Sequence, residues 1–134
     1  MRWLGGGGVD GLHEYTVAIE QLGHKLKLQD KVTFYGHVSN NAAWYDKIDI
    51  FISNGYSEGW QVALLEAMAS GCYTAVHQWA GADELMTPGE LYLSDREFQE
   101  IVLAYCEMTE AERQQRVDNL RRIVETVGDM SQRQ

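Results

Sequence analysis

The sequence predicts an α/β protein, an open parallel sheet with helices on both faces. Three observations carry that reading. Short runs rich in β-forming residues alternate along the chain with stretches at helical spacing. The run Ile48 to Ser53 is apolar enough for a buried parallel strand. Gly36, the Asn54–Gly55 pair and Gly71 fall where one period gives way to the other.

The elements follow in order. Met1 to Leu4 reads as a strand with no lead-in, followed at once by Gly5 to Gly8, which predicts a domain truncated at its N-terminus. Leu12, Tyr15, Ala18, Ile19 and Leu22 recur at helical spacing. Val32, Phe34 and Tyr35 predict a short strand ended by Gly36. Asn40 or Asn41 can cap a short helix through Trp44 to Lys47. Beyond Ile48 to Ser53, the chain loops through Asn54 and Gly55 into a helix over 60–70, which Gly71 stops. Tyr73 to Val76 predicts another strand, and Leu91 to Leu93 a further one. A helical tail covers about 94–128, and there Ser94 with Glu97, and Thr109 with Glu112, have capping-box spacing. Phe98, Ile101, Val102 and Tyr105 form one apolar face of that tail, and Val117, Leu120, Val124 and Val127 another.

Composition bounds the function. The chain has 134 residues, 45% of them hydrophobic and 23% charged, with a formal net charge of −9. Such a chain predicts one domain over 1–134 with a real core. Its acidity argues against nucleic acid or an anionic membrane as partner, since both need a basic surface. No segment approaches the roughly 20 apolar residues of a transmembrane span, and no signal peptide opens the sequence. Cys72 and Cys106 lack metal-ligand spacing, so a reduced, cytoplasmic protein is expected.

Two candidate sites emerge. Gly6, Gly8 and Gly11 match G-x-G-x-x-G between a strand and a helix, the mark of an NAD-binding Rossmann domain. That fingerprint needs an acid at the end of the second strand, and here the strand ends in Tyr35, Gly36 and His37, with Asp30 lying before it. A tight turn that brings helix and strand close is the better reading of these glycines.

The second site is the loop after the Ile48–Ser53 strand. Ligands of open α/β sheets sit beyond the carboxyl ends of the strands, and this loop delivers Gly59, Trp60, Gln61 and Val62 there as the first residues of a helix. Their amides lack intrahelical acceptors and suit phosphate. Glu66 lies one turn further in, among Leu64, Leu65, Ala67 and Met68, where an ionised carboxylate needs donors such as sugar hydroxyls. Glu58 precedes the helix and can face the same cleft. The plain structural alternatives are a Glu58 that only favours the helix dipole and a Glu66 half exposed on a helix edge.

The run from Glu58 through Gly59, Trp60, Gln61, Val62 and Glu66 to Gly71 resembles the hallmark of the retaining glycosyltransferases of family 4, which have the GT-B fold, a pair of Rossmann-like domains. Val32 to Val38, Asp49 to Ser53 and Gly81 to Leu85 extend the resemblance over about residues 2–93. It implies a nucleotide-sugar-binding C-terminal domain that takes a UDP-sugar or GDP-sugar. By it Glu58 contacts the transferred hexose and is the catalytic candidate, Glu66 binds the ribose, the amides of Gly59 to Val62 contact diphosphate or hexose, and His37 and Val38 lie near the base. It implies no metal, in keeping with a sequence that carries no D-x-D motif. It also implies a partner, an N-terminal acceptor-binding domain, and an Arg and a Lys on the diphosphate, neither within this sequence, so that the chain alone is expected to be inactive. Gln61 and Cys72 depart from the family's frequent glycine and proline. A non-catalytic nucleotide-sugar-binding subunit remains the alternative.

Other residues have plainer readings. His13 and His24 read as solvated, and His77 as either packed or facing the cleft. Trp44 and Trp79 read as core or domain-contact residues. Arg113, Arg116, Arg121 and Arg122 read as a solvated helix face.

Overall fold

The computed structural model describes residues 13–35, 38–56 and 61–132. The expected strand at Met1 to Leu4, the glycines Gly5 to Gly8 and Gly11, and the site candidates His37, Glu58, Gly59 and Trp60 lie outside the described residues. The chain divides into two compact units, Met1–Asn41 and Ala42–Gln134.

In the first unit the helical spacing yields α1 (His13–Lys25). The expected strand over Val32, Phe34 and Tyr35 reduces to a single bridge residue, Phe34. Phe34 and Tyr35 are both exposed, so this apolar run lacks the burial that makes a β-forming sequence a strand.

The second unit holds the sheet. After α2 (Asn41–Tyr45), the chain forms β1 (Ile50–Ser53), α3 (Val62–Ala69), β2 (Tyr73–His77), α4 (Ala82–Leu85), a 3-10 turn (Pro88–Glu90), β3 (Leu91–Tyr92), α5 (Asp95–Glu107) and α6 (Glu110–Gln132). The three strands are parallel in the order β1-β2-β3, with Ser53 opposite Val76 and His77 opposite Tyr92. The centre strand, β2, is buried from Tyr73 to Val76, which is why its sequence reads as a continuous run rather than an alternation. Leu64 and Met68 of α3, Tyr73 and Val76 of β2, Met86 just after α4, and Leu120 of α6 form the main core, and Ile101 and Tyr105 of α5 pack against it. The predicted fold class, an open parallel sheet with helices, is the one observed.

The helix ends show why the elements stop where they do. Gly71 follows α3 with φ +91°, a left-handed conformation that glycine adopts without steric cost. A Cβ there would lie 2.5 Å from Arg121 Nη2, so the guanidinium would have to shift. That guanidinium donates to the Ala69 carbonyl at 3.4 Å, placing a cation against the negative end of α3. Both capping boxes form. Ser94 Oγ accepts from the Glu97 amide at 3.3 Å while Glu97 Oε2 accepts from the Ser94 amide at 3.0 Å, and Thr109 and Glu112 make the same exchange at the start of α6.

The late arginines lie on a largely exposed face, as expected, with Arg113 half-buried, yet three of them also bond to other elements. Arg113 lies over the Tyr105 ring and donates to the carbonyls of Tyr105 and Cys106, closing the end of α5. Arg116 pairs at 3.6 Å with the buried carboxylate of Glu90, which also accepts from the Thr87 hydroxyl. Charge pattern along α6 alone could not reveal partners supplied by other elements. Trp44 is core as expected, and Trp79 is partly buried against the main cluster. Cys72 is buried and Cys106 exposed, both as free thiols.

Candidate functional site

Three parallel strands bring their carboxyl ends to one edge, and the residues there are tied together. Tyr92, the last residue of β3, reaches its hydroxyl across β2 to the Ser53 carbonyl at 3.2 Å and to Asn54 Oδ1 at 3.0 Å. Ser53 Oγ in turn donates to Gln61 Oε1 at 2.7 Å. The start of α3 is thereby held against the end of β1, at the edge where such sheets take ligands. His77, the last residue of β2, packs between the rings of Tyr56, at 4.5 Å, and Tyr92, at 5.5 Å. Its Nδ1 is buried and finds no hydrogen-bond partner among the described residues. Tyr56 itself is 79% exposed. Burial raises the Tyr92 hydroxyl to about pKa 12, with Tyr56 and Asp95 adding to the shift, so it stays a donor through the neutral range.

The helix start differs from expectation by two residues. α3 begins at Val62, and Gln61 is its N-cap, with φ −79° and ψ 85° and no side-chain cap bond. The amides of Val62, Ala63 and Leu64 have no acceptor within the helix, and the first intrahelical bond runs from the Leu65 amide to the Gln61 carbonyl at 3.2 Å. The Gln61 side chain makes no cap bond to them and accepts from Ser53 Oγ instead.

Glu66 requires a correction. It is exposed, not embedded among apolar side chains. The eight residues of α3 are amphipathic in spite of their composition. Leu64, Ala67 and Met68, spaced i, i+3 and i+4, are each 0% exposed, whereas Val62 is 59% exposed and Ala63, Glu66 and Ala69 share its open face. Ala63 and Ala69 are apolar by type but too small to mark a buried face. The half-exposed alternative is therefore nearer the structure than burial on all sides. Glu66 is nevertheless not isolated, for Oε2 accepts from the hydroxyl of Tyr45 at 3.3 Å. Tyr45 is 5% exposed, and burial together with the Glu66 charge pushes its hydroxyl up to about pKa 12.

The structure thus brings Gln61, Val62 and Glu66 together on one short helix and adds Tyr45, Ser53, Asn54, Tyr56 and Tyr92, which the sequence reading missed. The missed signal was that Ser53 and Tyr92 end parallel strands, so neighbouring register puts them at one edge. Val38 is half-buried within the first unit. Among the described residues, no group of three His, Cys, Asp or Glu is placed to hold a metal ion, and no helix is long and apolar enough to cross a membrane. A groove of about 230 Å3 runs between Glu20, His24, Leu28 and Phe34 of the first unit, and none of the site candidates lines it.

The family model of glycosyl transferases group 1 matches residues 5–111, most of the chain. The chain belongs to the glycosyl transferases group 1. Among curated proteins, this group 1 chain is 33% identical over 88 residues to the O-antigen chain mannosyltransferase RfbU of Salmonella typhimurium, covering 64% of the chain and 25% of that protein. It is 34% identical over 65 residues to the lipopolysaccharide core biosynthesis mannosyltransferase LpsB of Rhizobium meliloti, covering 48% of the chain and 18% of that protein. The chain thus spans about a quarter or less of the length of these relatives. Among solved structures, Anabaena HepE in complex with UDP and glucose superposes with a TM-score of 0.82 at 20% identity, over 93% of this chain and 35% of that one. The C-terminal domain of the group 1 protein LpcC from Francisella tularensis superposes with a TM-score of 0.69 at 21% identity, over 88% of this chain and 64% of that one. The fold is that of a GT-B glycosyltransferase C-terminal domain.

Proposed function

We propose that this chain is the donor-binding domain of a retaining, family 4 glycosyltransferase that transfers a hexose from a nucleoside-diphosphate sugar. The observation that carries the reading is the start of α3. It opens beside the end of β1, its first amides have no acceptor within the helix and no cap from the Gln61 side chain, and Glu66 follows one turn on. Amides and the positive end of a helix dipole suit a diphosphate. From Gln61 to Glu66 the helix rises by about 7 Å, close to the span from a diphosphate to its own ribose. Exposure of Glu66 fits this role, because a ribose-binding carboxylate must be open to its ligand.

In this reading the residues act as follows. The amides of Val62 and Ala63, with Gly59 and Trp60 before them, receive the diphosphate. Glu66 accepts from the ribose hydroxyls. Glu58 contacts the hexose, and His37 and Val38 lie by the base. The chain's own residues bind and orient the donor, and the departing phosphate takes the acceptor's proton on the face it leaves. No metal takes part. The mannosyltransferase relatives favour a hexose donor and a growing saccharide as acceptor. A separate N-terminal acceptor-binding domain completes the enzyme, and an Arg and a Lys of the donor-binding domain itself offset phosphate charge in the transition state.

Titration calorimetry with UDP, GDP, UDP-glucose, GDP-mannose and NAD tests the reading. Binding of at least one nucleoside diphosphate, unaffected by EDTA and weakened about tenfold or more in Glu66→Ala, is the expected result, about 1.4 kcal/mol of binding free energy. Unchanged affinity in Glu66→Ala, or preference for NAD, would contradict it.

A further inference from the structure

Tyr45 is a core residue with one polar atom that leaves the core. Its ring is buried beside Ala67 and Cys72 and meets the Phe51 ring edge-on, with centroids 6.1 Å apart. Its backbone carbonyl accepts from the Cys72 thiol at 3.4 Å, which ties the end of α2 to the start of β2. The ring therefore has little freedom, and its hydroxyl is delivered to one place, the Oε2 of Glu66 at 3.3 Å. Glu66 has the opposite character. It is exposed on α3, and an exposed glutamate with three rotatable bonds would otherwise sample many rotamers.

From this juxtaposition we infer that Tyr45 is a positioning residue, whose hydroxyl fixes the carboxylate of Glu66 in advance for the vicinal hydroxyls of the donor's ribose. The inference rests on the proposed role of Glu66 as the ribose contact. A carboxylate has two oxygens and about four lone-pair sites, so one bond from a phenol leaves capacity for a diol. Fixing the group beforehand removes rotamer freedom that the ligand would otherwise have to remove on binding. The geometry also suits a carboxylate acceptor, because burial and the neighbouring negative charge both keep the Tyr45 hydroxyl protonated as the donor.

The experiment is calorimetry on the 134-residue chain with UDP and GDP, each against its 2′-deoxy form. Wild type, Tyr45→Phe, Glu66→Ala and the double variant are compared, with thermal melts alongside. The wild-type chain is expected to prefer the ribose form. Tyr45→Phe is expected to lose roughly three- to tenfold of affinity for that form and little for the deoxy form, the effect of one hydrogen bond. In the Glu66→Ala background the same change is expected to have no effect, since the two residues act as a unit. A purely structural role for the hydroxyl would weaken both ligands alike and leave their ratio intact. That result overturns the inference, as does a Tyr45→Phe chain that fails to fold. A wild-type chain that binds neither nucleotide, or binds ribose and deoxyribose forms equally, overturns the assignment of Glu66 and this inference with it. Full discrimination kept in Tyr45→Phe but lost in Glu66→Ala sinks the positioning role while the ribose assignment stands.

Discussion

The starts of α3 and α5 pose the same physical problem and solve it differently. Each opens just past the carboxyl end of a strand, β1 or β3, with amides that have no acceptor inside the helix. At α5 the sequence supplies the acceptors itself. Ser94 and Glu97 exchange bonds in a closed box, and Glu97 takes a second amide from Leu93 at 2.7 Å, so its carboxyl is held below the ordinary carboxylate range. At α3 the N-cap Gln61 turns its side chain to Ser53 instead and makes no cap bond. A helix end that satisfies itself belongs to the scaffold. One fixed in place whose N-cap side chain makes no cap bond is suited to a ligand.

Perturbations can break or sharpen that contrast. The largest effect is expected where α3 is anchored. Leu64→Ala, at a site with no exposure, should cost about 3 kcal/mol of unfolding free energy in denaturant titration. A cost below about 1 kcal/mol would mean that α3 is not held by its inner face. Next is alkaline pH. Burial raises Cys72 from 9.0 to about 11 and Tyr45 and Tyr92 from 10.0 to about 12. Above the lower values the unfolded chain loses protons that the native chain keeps, so stability falls as pH rises. It should be flat below about pH 8.5 and decline from about pH 9 to 12, by about 2 kcal/mol for each group at the upper end. Thermal melts across that range check it, and Tyr92→Phe should remove its share. Ser94→Ala should cost about 1 kcal/mol of stability and leave nucleotide affinity unchanged. Smallest of all, Glu66→Ala should shift stability by less than about 0.5 kcal/mol, as an open surface position does, while its effect on binding is large. A Glu66→Ala chain that melts far below wild type would erase the contrast.

Much of this was legible in residue order. The strands β1, β2 and β3, the helices of the tail and both capping boxes rest on local signals, and the structure forms them all. The stop at Gly71 was equally local, since a left-handed turn after a helix calls for glycine. What misled was composition without packing. The apolar run from Val62 to Ala69 suggested burial all round, yet half of it is an open face that contains Glu66. Val32 to Tyr35 suggested a strand, and only Phe34 makes a bridge. The arginines of α6 suggested solvent and are mostly exposed, but three of them also reach Tyr105, Glu90 and Ala69.

By itself, then, the order of residues determined the alternation of elements, the stop at Gly71, the capped starts of α5 and α6, and the motif that marks the family. Each depends on backbone geometry or on neighbours within a few positions. Tertiary structure alone decided which side of α3 meets the sheet, that Tyr45 reaches Glu66 across 21 positions, and that Tyr92 reaches Ser53 across 39. Such contacts depend on which strands lie side by side and in what register, and no local run of side chains encodes that.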